Sequence, residues 1–381
     1  MFSRHQVILA SVLFVVASGL TPSTRQAQLA SKALPRIDPS YRVIIGSIDG
    51  PREKQFERVV GAVRLTNGEI VVADGGSQQL RWFSRDGVWI RSVGRRGKGP
   101  REFEGLRSLV LFSGDSVLVE DALLDRISTF DRDGRFLTSW STTERLGTLL
   151  PAPVGRLGNG DFVALRERAL QRRTGRDRFT ADLLRARAGT SPTVMHSLPS
   201  RESFLLVCGP DNTAICNIGV PYSPRAVAAV SHDRIFFGNG ERYEILTFHA
   251  GRIDTISRSL PRRPVTSGQL QYYRDSVLRR TPVSRRPVIG ERLAQAPSAA
   301  FMPYFTALRT DDVGRLWVGR THELGARDRP WDVFDVGGSF LGTIPLPVRL
   351  QVTYIGRGFI VGVMTDEDGV EVIEIRRYIS A

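Results

Sequence analysis

Short apolar runs, each opened by a glycine or Asp-Arg turn, recur along the chain. They stand at NGEIVVAD (67–74), SGDSVLVED (113–121), NGDFVALRE (159–167), HDRIFFGNG (232–240), VGRLWVGR (313–320) and GRGFIVGVM (356–364). Gly68, Gly114 and Gly160 lie 46 residues apart, twice running. A second signature of aromatic, polar turn and glycine follows in WFSRDG (82–87), TFDRDG (129–134), TFHAG (247–251) and VFDVGG (333–338). Runs this short, rich in β-branched and aromatic residues and bounded by polar-glycine clusters, predict strands joined by tight turns. Four strands per roughly 45 residues, with no long helical stretch between them, is the period of a propeller blade.

The chain ends sharpen this. RSVGRRGKGPREFEGL (91–106) joins the first two units, and IIGSIDGPREKQFERV (44–59) carries the same GPRE near the start of the chain. Residues 41–48 therefore read as the fourth strand of a unit whose first three strands are C-terminal, at 348–379. Pairing the two closes a ring and removes exposed sheet edges. The expected fold is all-β: a six-bladed β-propeller over 41–379, closed by an N-terminal strand completing the last blade. Its blades are expected at 58–98, 105–141, 150–198, 224–260, 303–346, and 348–379 with 41–48. A short helical insert is expected between blades four and five, where TSGQLQYYRDSVLRR (266–280) opens on a cap and places Leu270, Tyr273, Val277 and Leu278 on one stripe.

The segments DGGSQQLRWFSRDGVWIRSVGRRGKGPREF (74–103) and EDALLDRISTFDRDGRFLTSW (120–140) resemble NHL-type repeats of secreted bacterial six-bladed β-propeller proteins. The resemblance implies the fold. For activity it implies little, because that superfamily includes protein binders, RNA binders, lactonases and an amide-forming lyase. Its metal-dependent members imply three histidines on zinc, or a Glu/Asn/Asp set on calcium, at the channel mouth. His196, His232, His249 and His322 show no H-x-H or HExxH spacing, and no G-x-S-x-G elbow is present. No catalytic residue, metal site or cofactor is assigned. The leading expectation is a non-enzymatic binding module, and the alternative is a metal-dependent lactonase-like or lyase-like enzyme using calcium or zinc.

Two motifs read as structural. Asp74 and Asp121, each followed four residues later by Gln78 or Asp125, suit side-chain-braced turns. GRRGKGP (94–100) lacks the spacing of a phosphate loop and recurs as a connector.

At the N-terminus, Arg4 and His5 precede an apolar run from Val7 to Val16, then Ala17, Ser18 and Gly19. This pattern predicts a signal peptide over 1–28, cleaved between 19 and 28, and a flexible leader over 29–40. The run is too short for a transmembrane anchor, so a secreted or periplasmic protein is expected. In that compartment Cys208 and Cys216, in VCGPDNTAIC, are expected to form a disulfide across a hairpin.

Charge then narrows the function. The 381 residues hold 53 Lys+Arg against 39 Asp+Glu, a formal net charge of +14, and only three of the cations are lysines. The signal region contributes +2, residues 166–187 contribute +5 and residues 258–292 contribute +7, which leaves the rest neutral. In a propeller, the second-to-third-strand loops and the blade connectors emerge on one face. Both basic segments, the hairpin at 199–223 and THELGARDRPW (321–331) are expected there. Arg172, Arg173 and Arg176 in the first segment, with Arg262, Arg263, Arg279, Arg280, Arg285 and Arg286 in the second, are the candidate binding residues. Guanidinium groups capture phosphate and carboxylate, so an anionic envelope component or a protein is the expected partner. Nucleic acid is disfavoured by secretion and by the thin stacking platform of Tyr272 and Tyr273.

Overall fold

A strand such as Ile70–Asp74 (IVVAD) is buried at every position, unlike the alternating strand of a one-sided sheet. Val117–Asp121 (VLVED) repeats this, as expected where both faces of a sheet are covered by neighbouring sheets. The computed structural model describes residues 33–141, 152–169, 174–187, 191–208, 214–366 and 368–380. The expected signal peptide, Arg172 and Arg173 lie outside them.

The N-terminal strand is β1 (Arg36–Ile45). A first sheet follows as β2 (Val59–Arg64), β3 (Ile70–Asp74), β4 (Gln79–Phe83) and β5 (Trp89–Val93). The second holds β6 (Leu106–Leu111), β7 (Val117–Asp121), β8 (Arg126–Phe130) and β9 (Phe136–Ser141). The third has five strands: β10 (Ala152–Arg156), β11 (Phe162–Ala169), β12 (Gly175–Ala186), β13 (Thr193–Cys208) and β14 (Ala214–Gly219). The fourth is β15 (Val227–Val230), β16 (Arg234–Gly238), β17 (Glu244–His249) and β18 (Arg252–Ser257). Helices α1 (Ser267–Arg280) and α2 (Arg286–Gln295) come next. The fifth sheet is β19 (Phe305–Thr310), β20 (Leu316–Arg320), β21 (Asp328–Phe334) and β22 (Phe340–Pro347). The sixth comprises β23 (Leu350–Gly356), β24 (Phe359–Thr365) and β25 (Glu371–Ile379), with β1 as its fourth strand.

All pairings within these sheets are antiparallel, the all-β arrangement of a propeller. The first strands β2, β6, β10, β15, β19 and β23 touch one another in succession, and β23 returns to β2. They surround a central cavity of about 560 Å³ lined mainly by small and β-branched residues. Apolar cores fill the spaces between sheets. Trp82, fully buried, belongs to a cluster shared with Leu109, Val117 and Phe130 of the next sheet, and its indole donates to Arg132 O at 2.9 Å.

The recurring turns have the expected chemistry. Asp131 Oδ1 accepts from the amides of Asp133 (2.9 Å) and Arg135 (2.7 Å), and Gly134 supplies the φ of +79° that a Cβ would disfavour. Asp335 does the same with Gly337 and Ser339. Asp74 accepts from Glu57 N at 3.1 Å and Ser77 Oγ at 2.6 Å. Asp121 accepts from Glu104 N, Gly105 N and Leu124 N, tying the turn to the connector entering the same sheet.

Three expectations need correction. The leader does not extend to residue 40: β1 starts at Arg36, which pairs with Ile379, and Asp38 anchors it by accepting from Ser40 and Arg377. The segment 199–223 is not a free connector. Most of it continues β13 and forms β14, and the Cys208–Cys216 disulfide lies within this fifth-strand hairpin. Arg166 and Arg168 do not sit in a loop, because β11 and β12 run on past the usual blade length. Their charges pair across strands, both meeting Asp182 of β12, and on β12–β13 Arg176 meets Glu202.

The insert is also larger than one helix. Thr266 caps α1 with a reciprocal box, its hydroxyl accepting from Gln269 N while Gln269 Oε1 accepts from Thr266 N at 2.9 Å. Leu270, Tyr273, Val277 and Leu278 are all half-buried. Thr281-Pro282 ends this helix, and Pro287 opens α2 at its first turn, where a missing amide costs nothing. The insert returns to its origin: Val265 N donates to Ala300 O and Met302 N to Arg263 O.

Candidate functional site

The insert is fastened to the fourth and fifth sheets by specific bonds. Tyr222, on the segment entering β15, donates its hydroxyl to Gln269 O at 2.8 Å and packs its ring against Tyr273 at 6.1 Å. Ala299 N donates to Pro221 O at 3.0 Å. Arg263 bridges to Glu323 and to the Thr321 hydroxyl in the loop after β20. Among the described residues no helix is long and apolar enough to cross a membrane.

The two basic segments differ in how their charge is used. In 166–187 every described arginine has a carboxylate partner. Arg166 and Arg168 bind Asp182, Arg185 and Arg187 bind Asp161, Arg176 binds Glu202, and Arg178 binds Glu241. Burial alone would raise Asp182, but hydrogen bonds from Arg168, Ser197 and Arg166 outweigh it and hold its carboxyl at about 2. Asp161 is likewise held below the usual carboxylate range, chiefly by the hydrogen bond from Arg187.

In the insert the pattern reverses. Arg279, Arg280, Arg285 and Arg286 are exposed, and none has a carboxylate partner among the described residues. Arg286 Nε donates to Thr281 O at 3.1 Å, which fixes the inter-helix turn. Between these cations Val283 is 73% and Val288 47% exposed. Of the other sequence candidates, Arg262 lies 4.0 Å over the Phe301 ring, while Arg263 and Arg176 are neutralised as described. The structure thus brings four of the nine candidates together as an open cationic tip.

Beneath α1, between that helix and the fifth sheet, lies a cavity of about 350 Å³. Arg320, His322 and Arg329 line it together with Tyr222 and Tyr273. Arg329 lies flat on the backbone, with Nε donating to Arg320 O at 2.8 Å and Nη2 to Gly319 O at 2.7 Å and Thr306 Oγ1 at 2.6 Å. Gly319 makes room for it, since a Cβ there would stand 2.8 Å from Nη2. Burial first, then the nearby Arg309, lowers Arg329 from the ordinary arginine value to about 10. His322 is lowered by burial and then by Arg329 and Arg263, so its ring is neutral. Sequence reasoning missed Arg320, which looks like an ordinary strand residue, and reached Arg329 only as one member of the loop expected at 321–331.

A second cavity of about 530 Å³ lies between the third and fourth sheets, with His232, Asp233 and His249 on its wall. His249 Nδ1 stands 3.2 Å from Asp233 Oδ2. Among the described residues no three of His, Cys, Asp and Glu come together as a metal-holding group.

No curated protein matches the chain in sequence. A family described as 6-bladed beta-propeller matches residues 53–143, the stretch that forms the first two sheets. Solved structures are similar in fold only. A protein of Bacteroides fragilis described as exported is 12% identical, with 92% of this chain and 97% of that one covered at a TM-score of 0.46. A gluconolactonase of Xanthomonas campestris is 12% identical, with 91% and 94% covered at 0.45. A catalytically inactive virginiamycin B lyase of Staphylococcus aureus is 12% identical, with 89% and 99% covered at 0.43.

Proposed function

We propose that the protein is an exported, closed six-bladed propeller that binds an anionic component of the cell envelope through the face carrying its helical insert. The six sheets serve as blades, and the insert between the fourth and fifth presents the binding surface. Export is supported by the basic, apolar and small-residue order of residues 4–19 and by the Cys208–Cys216 bridge, a bond kept in oxidising compartments.

One observation carries the reading. The described arginines of 166–187 are each paired with a carboxylate, whereas Arg279, Arg280, Arg285 and Arg286 face solvent without one among the described residues. Exposed Val283 and Val288 among them suit a surface with an apolar layer behind its charge. A basic side chain close to an anionic membrane contributes about 1 kcal/mol, so the tip supplies roughly 4 kcal/mol, about a thousandfold in affinity.

Cosedimentation tests this with phosphatidylcholine vesicles with or without phosphatidylglycerol, and in parallel with an acidic polysaccharide gel. Selective capture by at least one anionic material, lost when the four arginines become serine, is expected. Equal capture by neutral vesicles, or full capture by the fourfold variant, would sink the proposal.

A further inference from the structure

We propose that the cavity beneath α1 is a binding site for a small organic monocarboxylate with a ring-sized body, held by Arg329 and His322 against Tyr222 and Tyr273. The proposal uses different residues from the exposed arginine tip and stands or falls separately.

The charge of Arg329 is uncompensated. All its hydrogen bonds go to neutral oxygens, those of Arg320, Gly319 and Thr306, and Nη1 has no partner among the described residues. The carboxylates nearby are committed elsewhere. Glu323 is taken by Arg263. Asp332 accepts from Tyr243, Arg258 and Thr343, each at 2.6 Å, before Arg320 approaches at 3.6 Å. Arg309, which adds to the positive potential, also donates only to carbonyls, those of Leu308 and Val352. A half-buried guanidinium satisfied only by neutral groups keeps its attraction for an anion.

The donor set selects the anion. Arg329, whose Nη1 is unpartnered among the described residues, and the imidazole of His322 both line the cavity and offer two donors for two oxygens. A carboxylate matches that number. A phosphate would bring further oxygens with no donor and more charge towards Glu323. Neutral imidazole carries one N–H and can place it on Nε2, the ring nitrogen left accessible when Nδ1 is buried. The body of the ligand meets the tilted rings of Tyr222 and Tyr273, with Met302 and Leu324 beside them. The cavity is at the small end of the range for enclosed ligands, which suits a single ring.

Saturation-transfer NMR on the purified protein tests this with benzoate, its neutral isostere benzamide, and inorganic phosphate as competitor. Benzoate should bind and benzamide should not, and phosphate should not displace benzoate. Arg329→Lys, His322→Ala and Tyr273→Leu should each weaken benzoate about fivefold or more, while Arg279→Ser leaves it unchanged. His322 and Tyr273 lie outside the sheets, so their variants carry the test if Arg329→Lys does not fold. Equal binding of benzamide, displacement by phosphate, or an affinity unmoved by the His322 and Tyr273 variants would overturn the proposal.

Discussion

Replacing Asp182 by asparagine removes the charge that neutralises the β11–β12 arm while keeping the shape of the side chain. The carboxylate is fully covered, with Oδ2 receiving Arg166 Nη2 at 2.9 Å and Arg168 Nε at 2.6 Å. Its Oδ1 receives Arg168 Nη2 at 2.9 Å and Ser197 Oγ at 2.8 Å. These bonds bring it from the ordinary aspartate value of 3.8 to about 2. At about 1.36 kcal/mol per pH unit, that displacement is worth about 2.4 kcal/mol. The cover is loose on one side, since the Arg168 side chain is 48% exposed, and solvent screening leaves about 1–2 kcal/mol. Because the folded value lies below the unfolded one, this contribution is complete above about pH 4 and is lost as pH falls through 2. Asp182→Asn should therefore lower unfolding free energy by about 2–3 kcal/mol at pH 7, including two arginines left unpaired. Denaturant titrations of both proteins at pH 7 and across pH 4 to 2 measure it, and the difference should shrink with acid. A variant within 0.5 kcal/mol of the wild type at pH 7, or a difference that stays constant to pH 2, would refute the reasoning.

Other positions give independent tests. Asp332 is fully buried at the junction of the fourth and fifth sheets, accepting from Tyr243, Arg258 and Thr343. Asp332→Asn should cost about 3–5 kcal/mol in a denaturant titration, and a loss under about 1 kcal/mol would contradict the role given to it. Thr266→Ala removes the capping box of α1 and should cost about 1 kcal/mol locally. Hydrogen exchange should quicken in α1 alone, and unchanged exchange there would count against the cap. Gly319→Ala drives a methyl group into the Arg329 guanidinium and should lower stability by about 1–3 kcal/mol. An unchanged thermal midpoint would show that the guanidinium does not rest on Gly319.

What the sequence disclosed was local. The turn of TFDRDG is written in Asp131 and Gly134, two residues of one tight turn, so it reads directly. The closing strand was visible because GPRE occurs both near the start and after the first unit. What stayed hidden depended on distance. Arg178 meets Glu241 across 63 residues, and nothing near Arg178 announces it. That pairing, with those of Arg166, Arg168, Arg185 and Arg187, gives each of these arginines a carboxylate partner, two of the carboxylates being shared. Arg329 was missed for the opposite reason: it read as one residue of the loop expected at 321–331, and only the fold places it at the start of β21, half-buried with neutral partners. The exposed tip was legible because four arginines on two short helical stretches have few acids within reach.

The central claim is that functional positive charge resides in the insert and not in the arm. Binding to phosphatidylglycerol-containing vesicles measured against salt tests it most directly, comparing wild type, the Arg279/Arg280/Arg285/Arg286→Ser variant and an Arg176→Ser/Arg178→Ser control. Affinity should fall with salt for wild type and control alike, because screening acts on the free cations and the control arginines are already paired. The insert variant should bind about a thousandfold more weakly, with little salt dependence. Equal slopes for wild type and insert variant, or a loss in the control as large as in the insert variant, would contradict the account.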